Sequence, residues 1–444
     1  MATLSGQRPD CYNERVTSHR PLLQTKLHQP PPRPDIVPRP RLLDQLNDGL
    51  RGKLTLVTAP AGFGKTTLVI NWLNQRPPSE HTAVAWLSLD ERDDDPHRFY
   101  TYLLAAYQQA NPALGHKATP LLAHDALEPE YILTHLLNDL QSQPALLVLD
   151  DFHLVTAVEI RHGIQFLLDN LPPKSHLVLT SRHTPQLQLA RWRARRQLTE
   201  IAVQDLRFLP EEAGTLLHQE LGRALDSPAL ETLLRRTEGW AAGLQLAALS
   251  LKREPHPDQF IAQFAGTDRY VLDYLLDEVF AGQSAEMRHF LLTTAVLDRF
   301  CAPLCDALTN GQPPAQAALA HLEQSNLFII PLDHKRRWFR YHHLFRDLLR
   351  HRLQAHHSAQ QRQDLLLAAS HWCERETLFE EAVQYALAAQ AYDRAAQLLE
   401  KTALFTLWGV GDAQTIAQQI QRLPSATLAA FPRLYIGLYW AMLY

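Results

Sequence analysis

The stretch from Leu54 to Thr67 constrains the fold more than any other part of this chain. It opens with the apolar, partly β-branched run Leu54–Thr58, which is typical of a buried parallel strand. A glycine-containing turn follows, and residues 68–73 then continue as an apolar helical segment. A strand, a glycine turn and a helix in this order predict a phosphate-binding loop.

The turn itself carries the residue types that contact with phosphate requires. Glycines allow backbone N–H groups to face inward around phosphate oxygens, and the following helix adds the positive end of its dipole. Lys65 is expected to reach the β- and γ-phosphates of a nucleotide, while the Thr66 hydroxyl is expected to ligate Mg²⁺. The predicted binding residues of this turn are Ala61, Gly62, Phe63, Gly64, Lys65, Thr66 and Thr67.

One position departs from the strict pattern of such loops, because Ala59 stands where the first glycine is usual. Alanine fits at this position if its φ angle is negative. The end of the turn that contacts phosphate, Gly64 to Thr66, is intact. A chance glycine turn is the alternative interpretation, and the strand before the turn and the helix after it argue against that alternative.

A second candidate element is the run from Ala145 to His153, in which apolar residues are followed by two acids. Such a run predicts a buried strand whose carboxylates lie at the C-terminal edge of the sheet, where ligands of doubly wound folds bind. Asp150 is expected to hold Mg²⁺, usually through water, and Asp151 is expected to orient or deprotonate an attacking water. Together with the phosphate loop, the two acids predict the core of a nucleotide hydrolase.

Two other runs predict strands that end in polar residues. Ala83–Leu89 is the predicted second strand, and the acidic residues 90–95 after it are interpreted as a helix cap, with Asp95 before a proline, rather than as a metal site. The run from His176 predicts a fourth strand that ends in Ser-Arg. Its last residue, Arg182, is expected to sense the γ-phosphate.

The pattern at Ile201–Val203 predicts a fifth strand. The helix expected before it carries a basic run, for which a nucleic-acid patch and a solvated helix face are the two interpretations, the second being favoured. A formal net charge of −4 over 444 residues also argues against nonspecific binding of nucleic acid by the whole surface. The basic run consists of Arg191, Arg193, Arg195 and Arg196.

Residues 21–40 are rich in proline and are expected to be extended. This lead-in comes just before a short helix through Leu50 and the first strand, so its apolar part is placed to lie against an adenine ring. Val37 and Arg39 are the candidate nucleotide contacts in this segment. A plain linker is the alternative, and the residues alone do not separate the two interpretations.

From Pro210 the pattern becomes helical, and Thr237–Ala248 predicts a helix start that packs closely on a flat partner or simply on the core. Two short apolar runs on either side of a polar turn form a hairpin signal between helices, at Leu327–Ile330 and Trp338–Tyr341. Helices around a hairpin predict a winged helix. The tip of its wing is basic, as in a DNA-binding wing, but we expect it to face the nucleotide-binding domain. The basic residues of the tip are Lys335, Arg336 and Arg337.

From about Ser358 the chain is predicted to be helical throughout, in short amphipathic helices with small residues at contacts. These helices are similar to tetratricopeptide (TPR) hairpins, whose arrays need about three repeats and a polar cap. Because residues 440–444 are apolar and uncapped, we expect the natural protein to continue.

Composition sets the remaining limits. The length predicts two to four domains, and a hydrophobic content of 46% with 20% charged residues is ordinary for globular chains. The four cysteines include no CxxC pair, and none of the 22 histidines shows the spacing of a zinc site. With no signal peptide and no membrane-spanning run in the sequence, we expect a cytoplasmic protein without a membrane partner.

Taken together, these segments resemble the MalT-like, large ATP-binding regulators of the LuxR family, which are bacterial transcriptional activators of the signal-transduction ATPase (STAND) class. The resemblance covers the chain from about Leu22 to its end. The segments that carry it are Val37–Leu42, the phosphate loop, Trp86–Asp90, Leu149–His153, Leu179–Arg182, Thr237–Trp240 and Phe339–Phe345.

The resemblance implies an α/β P-loop NTPase domain, with a parallel sheet and helices on both faces, followed by a helical domain, a winged helix and a TPR-like α-helical superhelix. The boundaries expected for these parts divide the chain into five segments. They are 1–40 for the proline-rich lead-in, 41–208 for the nucleotide-binding domain, 209–284 for the helical domain, 285–355 for the winged helix and 356–444 for the start of the helical sensor.

The resemblance also implies ATP or ADP with Mg²⁺ as cofactors and a winged-helix histidine that contacts the β-phosphate of ADP. That histidine is His342 or His343, and His343 is favoured. The implied function is a switch with slow ATPase activity: ADP holds a closed monomer, while ATP and a small-molecule inducer open it to self-associate. Promoter DNA and RNA polymerase are then expected to be contacted by a helix-turn-helix beyond Tyr444.

Two alternatives from other functional classes stay open on the sequence. One is a ring-type or nucleic-acid-stimulated P-loop motor, which would hydrolyse ATP rapidly. The other is an interaction scaffold in which the nucleotide has only a structural role. The winged helix and the helical repeats favour the switch over both.

Overall fold

The computed structural model of the protein describes residues 22–32, 35–76, 83–123, 128–252, 254–325, 327–406 and 418–435. The prediction that the natural protein continues was based on the apolar segment 440–444, which lies outside these residues. Within the described ranges, no helix is long and apolar enough to cross a membrane.

A five-stranded parallel sheet forms the first part of the fold. Its strands are β1 (Leu54–Thr58), β2 (Ala83–Ser88), β3 (Ala145–Asp150), β4 (His176–Ser181) and β5 (Leu198–Ile201). They lie in the order β2-β3-β4-β1-β5. Because all neighbours are parallel, the C-terminal ends of β1, β3 and β4 reach the same edge of the sheet. The phosphate loop and the two predicted acids therefore meet at that edge.

Helices cover both faces of this sheet. They are α1 (Pro40–Gly49), α2 (Lys65–Gln75), α3 (Pro96–Ala110), α4 (Pro129–Ser142), α5 (Val158–Asn170) and α6 (Leu189–Ala194). Along β3, Leu146 and Val148 belong to one apolar core, while Leu147 and Leu149 belong to the other. A strand that is buried on both faces reads as a continuous apolar run, which is why the sequence identifies these strands well.

The acidic residues after β2 act as caps and ion-pair partners. Asp95 accepts a hydrogen bond from the Arg98 backbone N–H at 2.8 Å, and Pro96 is the first residue of α3, as predicted. Asp93 is fully buried and pairs with Lys26 and with Arg98. Among the described residues, no group of three or more His, Cys, Asp or Glu side chains is arranged to hold a metal ion.

The lead-in is only partly extended. Residues Gln24–Leu27 form a short 3₁₀ turn, where the sequence predicts an extended segment. The reason is the buried side chain of Lys26, which pairs with Asp93 and lies 4.8 Å from the centre of the Tyr102 ring. These contacts fix the lead-in against α3, and a local pattern of prolines carries no information about them.

The fifth strand lies earlier in the chain than predicted. It covers Leu198–Ile201 and ends where the predicted strand, Ile201–Val203, begins. Helix α7 (Val203–Leu206) follows it. The Asp205 carboxylate accepts a hydrogen bond from the Ala202 backbone N–H at 2.9 Å, and this cap starts the helix.

The basic run at residues 191–196 lies on α6 and the turn after it. Arg193 pairs with Glu200 at 2.7 Å, and Arg191 pairs with Asp169. Local ion pairs on an exposed helix are typical of a solvated face, which supports the favoured interpretation over a nucleic-acid patch.

Residues 203–280, called here the helical unit, follow the sheet. They comprise α7, α8 (Pro210–Leu221), α9 (Ser227–Thr237), α10 (Ala241–Leu251), α11 (Pro257–Gln263), α12 (Arg269–Leu275) and a π-helical turn at Leu276–Phe280. Residues 285–356, called the winged-helix unit, come next. They comprise α13 (Ala285–Thr294), α14 (Ala302–Thr309), α15 (Ala315–Gln324), β6 (Ile329–Pro331), β7 (Phe339–Tyr341) and α16 (His343–His356).

The hairpin of the winged-helix unit has two ends with different surroundings. At its tip, the exposed Arg336 pairs with Glu323 of α15 at 2.9 Å. At its base, the His342 backbone N–H donates to the Phe328 carbonyl at 2.7 Å. Phe328 contacts the phosphate loop, so it is the base of the hairpin, rather than the basic tip, that meets the nucleotide-binding part.

The last part of the described chain is helical. It comprises α17 (Ala359–Arg375), α18 (Phe379–Ala388), α19 (Tyr392–Thr406) and α20 (Ser425–Ala430). Small residues lie at the helix contacts, among them the buried Ala382, Ala386, Ala395 and Ala396. The fold class predicted from the sequence is confirmed: a parallel α/β sheet, a helical unit, a winged helix and further helices follow one another.

Candidate functional site

The phosphate loop, residues 59–67, leaves β1 in the backbone conformation that its glycines allow. Gly62 and Gly64 have φ angles of 76° and 79°, while Ala59 is not among the described residues with a positive φ. The departure from the strict pattern at Ala59 is therefore accommodated without strain. Gly64 caps α2, and a Cβ atom placed on it would meet no atom within 4 Å. The loop thus has open space at the start of the helix.

Lys65 is the cation of this loop, and its side chain is buried. Its Nζ donates to the carbonyls of Ala59 at 2.9 Å and Pro60 at 3.1 Å. Burial lowers the pKa of Lys65 to about 8, against a weaker opposing effect of the Asp151 carboxylate. The ammonium is thus held by its own loop, in surroundings where an additional anionic partner would be favourable.

Asp150, the last residue of β3, lies directly beside the phosphate loop. Its Oδ1 accepts hydrogen bonds from the Thr66 hydroxyl at 2.8 Å and from the Thr180 hydroxyl at 2.6 Å. Burial, together with the neighbouring charge of Asp151, raises the pKa of Asp150 above its usual value. The two residues predicted to hold Mg²⁺, Thr66 and Asp150, are therefore in direct contact.

Asp151 differs from its neighbour in exposure and in backbone conformation. It has a φ angle of 60°, in the left-handed region, and its side chain is 44% exposed. Its backbone N–H donates to the Thr180 hydroxyl at 2.9 Å, and its Oδ1 lies 3.7 Å from Nδ1 of His153. The left-handed turn separates the two carboxylates, so that one is buried beside Thr66 and the other faces solvent.

The start of α10 covers the phosphate loop through hydrogen bonds to the backbone of the loop. The Trp240 indole N–H donates to the Ala61 carbonyl at 3.1 Å, and the Ala242 backbone N–H donates to the Gly62 carbonyl at 3.0 Å. A Cβ on Gly62 would lie 2.6 Å from the Ala242 side chain. The sequence left a flat partner and the core as alternatives for this helix start, and the structure shows that it contacts the phosphate loop while Trp240 also belongs to the apolar core.

Aromatic rings complete the cover and connect it to the winged-helix unit. The fully buried Trp240 ring lies 5.4 Å from the Tyr274 ring and 5.3 Å from the Phe328 ring, between centroids. Phe63 of the loop lies 6.4 Å from Phe328. The loop, the helical unit and the winged-helix unit thus meet around one tryptophan.

Arg182 follows β4 at the same edge of the sheet and joins the α/β part to the helical unit. Its Nη2 lies 3.0 Å from the Glu278 Oε2, and its Nη1 donates to the Glu278 carbonyl at 3.3 Å. The residue predicted to sense a γ-phosphate is therefore paired with a carboxylate of the π-helical turn.

The two candidate histidines have different surroundings. His342 is buried, its Nε2 bonds to the Thr237 carbonyl at 2.9 Å, and burial lowers its pKa to about 4. Because a carbonyl only accepts hydrogen bonds, Nε2 of His342 carries the proton. Its Nδ1 is therefore unprotonated and has no described hydrogen-bond partner. His343 is one-third exposed, and its Nε2 lies 3.8 Å from Glu238. Contact between His343 and a phosphate stays a prediction.

Val37 and Arg39 lie at the junction of the lead-in and the helical unit. Val37 is buried, and the Arg39 guanidinium bonds to Glu212 at 3.0 Å and to the carbonyls of Leu206 and Arg207 at 2.9 and 2.8 Å. Burial lowers the pKa of Arg39 to about 10. These contacts give the Arg39 side chain a structural role at this junction, and a nucleotide contact by either residue stays a prediction.

Sequence reasoning did not identify four residues that the fold brings to the site. They are Thr180, Tyr274, Glu278 and Phe328. Only Thr180 has a local signal, since it precedes Ser181 at the end of a predicted strand. The other three belong to units that are distant in sequence, and only their docking places them near the loop.

Comparison with known proteins identifies two domains in this chain. A model described as an AAA domain matches residues 50–187, which include the phosphate loop and β1 to β4. A model described as the MalT winged helix domain matches residues 276–362, which include the hairpin and both histidines. The two matches agree with the order of the units in the structure.

Two curated relatives align with nearly all of the chain. The HTH-type transcriptional regulator MalT of Cronobacter sakazakii is 34% identical over 433 residues, which are 95% of this chain and 46% of that protein. The serine/threonine-protein kinase PknK of Mycobacterium tuberculosis is 33% identical over 430 residues, which are 95% of this chain and 38% of that protein. The chain therefore spans less than half the length of these relatives.

A solved structure shares the fold. A Walker-type ATPase of Pyrococcus abyssi superposes with a TM-score of 0.52 at 17% identity, over 73% of this chain and 99% of that one. At 17% identity, this similarity shows a shared fold and nothing about function. The sequence matches to MalT and to its winged helix domain are closer, and on them the chain is a MalT-like P-loop protein with an AAA domain followed by a MalT winged helix domain.

Proposed function

We propose that this chain is the nucleotide-dependent switch of a MalT-like transcriptional regulator. In the closed form, ADP occupies the phosphate loop and the helical unit covers it. ATP and a small-molecule inducer open the cover, and the open form self-associates. The observation that carries the proposal is the pair of hydrogen bonds from Trp240 and Ala242 to the loop carbonyls. A unit that bonds to the loop backbone is directly sensitive to what the loop holds.

The residues present fit a nucleoside diphosphate or triphosphate. Gly64 leaves open space at the start of α2, whose first backbone N–H groups have no acceptor within the helix. Lys65, the next residue, has a buried ammonium, and release from the carbonyls of Ala59 and Pro60 would let it contact a phosphate. The loop backbone and Lys65 would thus bind and orient the phosphates.

The chemistry of Thr66 and Asp150 fits Mg²⁺. A hydroxyl and a carboxylate are hard oxygen ligands, which this ion prefers. The raised pKa of Asp150 reflects burial and the second carboxylate at Asp151, and a nearby cation would offset both. When bound, Mg²⁺ neutralises phosphate charge. Thr66 and Asp150 would hold it next to Lys65.

Slow hydrolysis of ATP would return the switch to its closed form, with Asp151 as the residue that orients or deprotonates water. The exposure of its carboxylate supports this role, because a general base must be reachable by water. Asp151→Asn should bind ADP and ATP like the wild type and hydrolyse ATP more slowly. Loss of nucleotide affinity in this variant would contradict the role.

His343 is the histidine that we propose for contact with the β-phosphate of ADP. His342 already donates to the Thr237 carbonyl and has a strongly lowered pKa, so it offers no second donor near neutral pH. His343→Ala should weaken ADP binding by about ten- to a hundredfold, as expected for one charge-assisted hydrogen bond. An equal effect on ATP would assign it a general role in binding instead.

The partners follow from the likeness to MalT. We propose a cytoplasmic protein that binds a small-molecule inducer, and whose active form contacts promoter DNA and RNA polymerase through a helix-turn-helix outside residues 1–444. The name of the relative, an HTH-type transcriptional regulator, and the 46% coverage of its length support this placement.

The test of the proposed function is the nucleotide affinity of Lys65→Ala, measured by titration calorimetry with Mg²⁺. The variant should bind neither ADP nor a non-hydrolysable ATP analogue, because Lys65 is the buried cation of the loop. Lys252→Ala is the control, since Lys252 pairs with Glu220 on the surface of the helical unit. Retained affinity in Lys65→Ala would contradict the proposal, and rapid hydrolysis stimulated by nucleic acid would favour a motor.

A further inference from the structure

Arg182 and Glu278 form a charged contact between the nucleotide-binding part and the helical unit. Both side chains are partly exposed, 38% for Arg182 and 43% for Glu278, and they form an ion pair with 3.0 Å between Nη2 and Oε2. The pair joins the end of β4 to the π-helical turn that closes the helical unit. Turns of this kind often mark functional positions in helices.

Arg182 lies beside the phosphate loop because of the sheet register. Strand β4 pairs with β1, so that Ser181 is opposite Thr58, and the Ala59 backbone N–H donates to the Ser181 carbonyl at 3.3 Å. The charge of Arg182 also contributes, after burial, to the lowered pKa of Lys65. The two cations therefore belong to one electrostatic site.

Glu278 lies on a segment that also contacts the loop. Tyr274, one helical turn earlier, has its hydroxyl so close to Gly62 that a Cβ there would lie 2.8 Å from it. The Glu278 carbonyl, near the C-terminal end of the helix, accepts from Arg182 Nη1 at 3.3 Å. A cation at a helix C-terminus is favourable, so the backbone and the carboxylate of Glu278 both hold the guanidinium.

We propose that Glu278 is a specificity-determining residue that favours a nucleoside diphosphate over a triphosphate, because its carboxylate competes with a γ-phosphate for the Arg182 guanidinium. This inference rests on the proposed nucleotide binding. With a diphosphate in the loop, Arg182 can keep its pairing with Glu278. With a triphosphate, Arg182 cannot pair fully with both the Glu278 carboxylate and the γ-phosphate. These two negatively charged groups are then close to each other.

The size of this effect follows from the exposure of the pair. A partly exposed ion pair is weak in water, and a like charge nearby adds a repulsion of similar size. Removing the Glu278 charge should therefore shift the ratio of ATP to ADP affinity by roughly three- to tenfold toward ATP. A purely structural contact between two units would instead change both affinities by the same factor.

The experiment is titration calorimetry of Glu278→Gln with ADP and with a non-hydrolysable ATP analogue, each in the presence of Mg²⁺. Asp277→Asn is the matched control, because Asp277 is the exposed neighbour in the same turn and has no ion pair within the described part of the chain. Glu278→Ala is a second variant that removes the same charge. We expect both Glu278 variants to favour ATP and the control to match the wild type.

An unchanged affinity ratio in both Glu278 variants, or the same shift in Asp277→Asn, would overturn the inference. Such a result would leave the proposed function intact if the wild type binds both nucleotides and Lys65→Ala binds neither. Failure of the wild type to bind either nucleotide would instead contradict the proposed function. The two failures are therefore distinguished within one set of titrations.

Discussion

Two of the contacts between the helical unit and the nucleotide-binding part differ from each other in charge and in exposure. At Trp240 the contact is neutral and fully buried, and it joins an indole N–H to a loop carbonyl. At Glu278 the contact is charged and partly exposed, and it joins a carboxylate to Arg182. Both contacts come from elements of one unit, α10 and the π-helical turn, and both lie at the same edge of the sheet.

This difference indicates a division of roles. Burial of a large aromatic ring stabilises the closed arrangement strongly, but a neutral ring does not distinguish two phosphates from three. A partly exposed ion pair contributes little to stability, but its charge responds to an added phosphate. We therefore expect the stability of the closed form to depend on the Trp240 contact, and the discrimination between nucleotides to depend on the Glu278 contact.

The largest effect on stability is expected at Trp240. Trp240→Ala removes a fully buried ring that contacts Tyr274 and Phe328, and it should lower the free energy of unfolding by about 3–5 kcal/mol. Trp240→Phe keeps an apolar ring and loses the hydrogen bond to Ala61, so its cost should be about 1 kcal/mol. Chemical denaturation measures both. Equal costs would contradict the importance of the buried ring.

Glu238 combines the two properties that differ between the Trp240 and Glu278 contacts. Its carboxylate is charged, pairs with Arg340 of the winged-helix unit and is only 6% exposed. Burial would raise its pKa, but the hydrogen bonds from Arg340 and the neighbouring positive charges outweigh burial and lower it to about 2. In the unfolded chain the pKa is near 4.5. The stability from this ionised group is therefore fully present above pH 4.5 and is lost as the pH falls toward 2.

This difference in pKa predicts that the wild type loses on the order of 3 kcal/mol more stability than Glu238→Gln between pH 4.5 and 2. Denaturation curves at a series of pH values measure the difference. Glu200→Gln is the control, since Glu200 pairs with Arg193 on an exposed helix and strand. Parallel curves for wild type and Glu238→Gln would show that the ion pair between Glu238 and Arg340, which joins the helical unit to the winged-helix unit, does not stabilise the folded protein.

The smallest effect on stability is expected at Glu278. Because the ion pair with Arg182 is partly exposed, Glu278→Gln should lower the free energy of unfolding by about 0.5 kcal/mol or less. The same variant should nevertheless change the ratio of nucleotide affinities, so the two properties separate in one protein. A loss of stability as large as that of Trp240→Ala would contradict the proposed division of roles.

Much of this site was predictable because its chemistry is local in sequence. Lys65, Thr66 and Asp150 are recognised from a glycine turn and from acids that follow an apolar run, and parallel strands must bring such ends to one edge. The contact of Thr66 with Asp150 agrees with that prediction. The capping role of Asp95 was predictable for the same reason, since a cap involves only neighbouring residues.

The rest depends on how distant units dock, which local patterns do not encode. Glu278 lies 3.0 Å from Arg182 although the two are far apart in sequence, and Phe328 reaches Phe63 from a separate unit. The difference between the buried His342 and the partly exposed His343 also arises from docking against the turn after α9. A periodic pattern identifies an apolar face, but it does not identify the partner of that face.

We propose that the helical unit binds the phosphate loop in a way that depends on the nucleotide. The backbone N–H of Ala242 can be used to measure this contact, because it lies in the first turn of α10 and its acceptor is the Gly62 carbonyl, at 3.0 Å. The N–H of Leu244, two residues later, donates to Trp240 within its own turn and serves as the control.

The most direct test is residue-resolved hydrogen exchange of these two amides, with Mg²⁺ and either ADP or a non-hydrolysable ATP analogue. We predict that Ala242 exchanges faster with the ATP analogue than with ADP, while Leu244 exchanges equally in both states. In Lys65→Ala, which should bind neither nucleotide, the difference at Ala242 should disappear. Equal protection of Ala242 with ADP and with the ATP analogue in the wild type would contradict the claim.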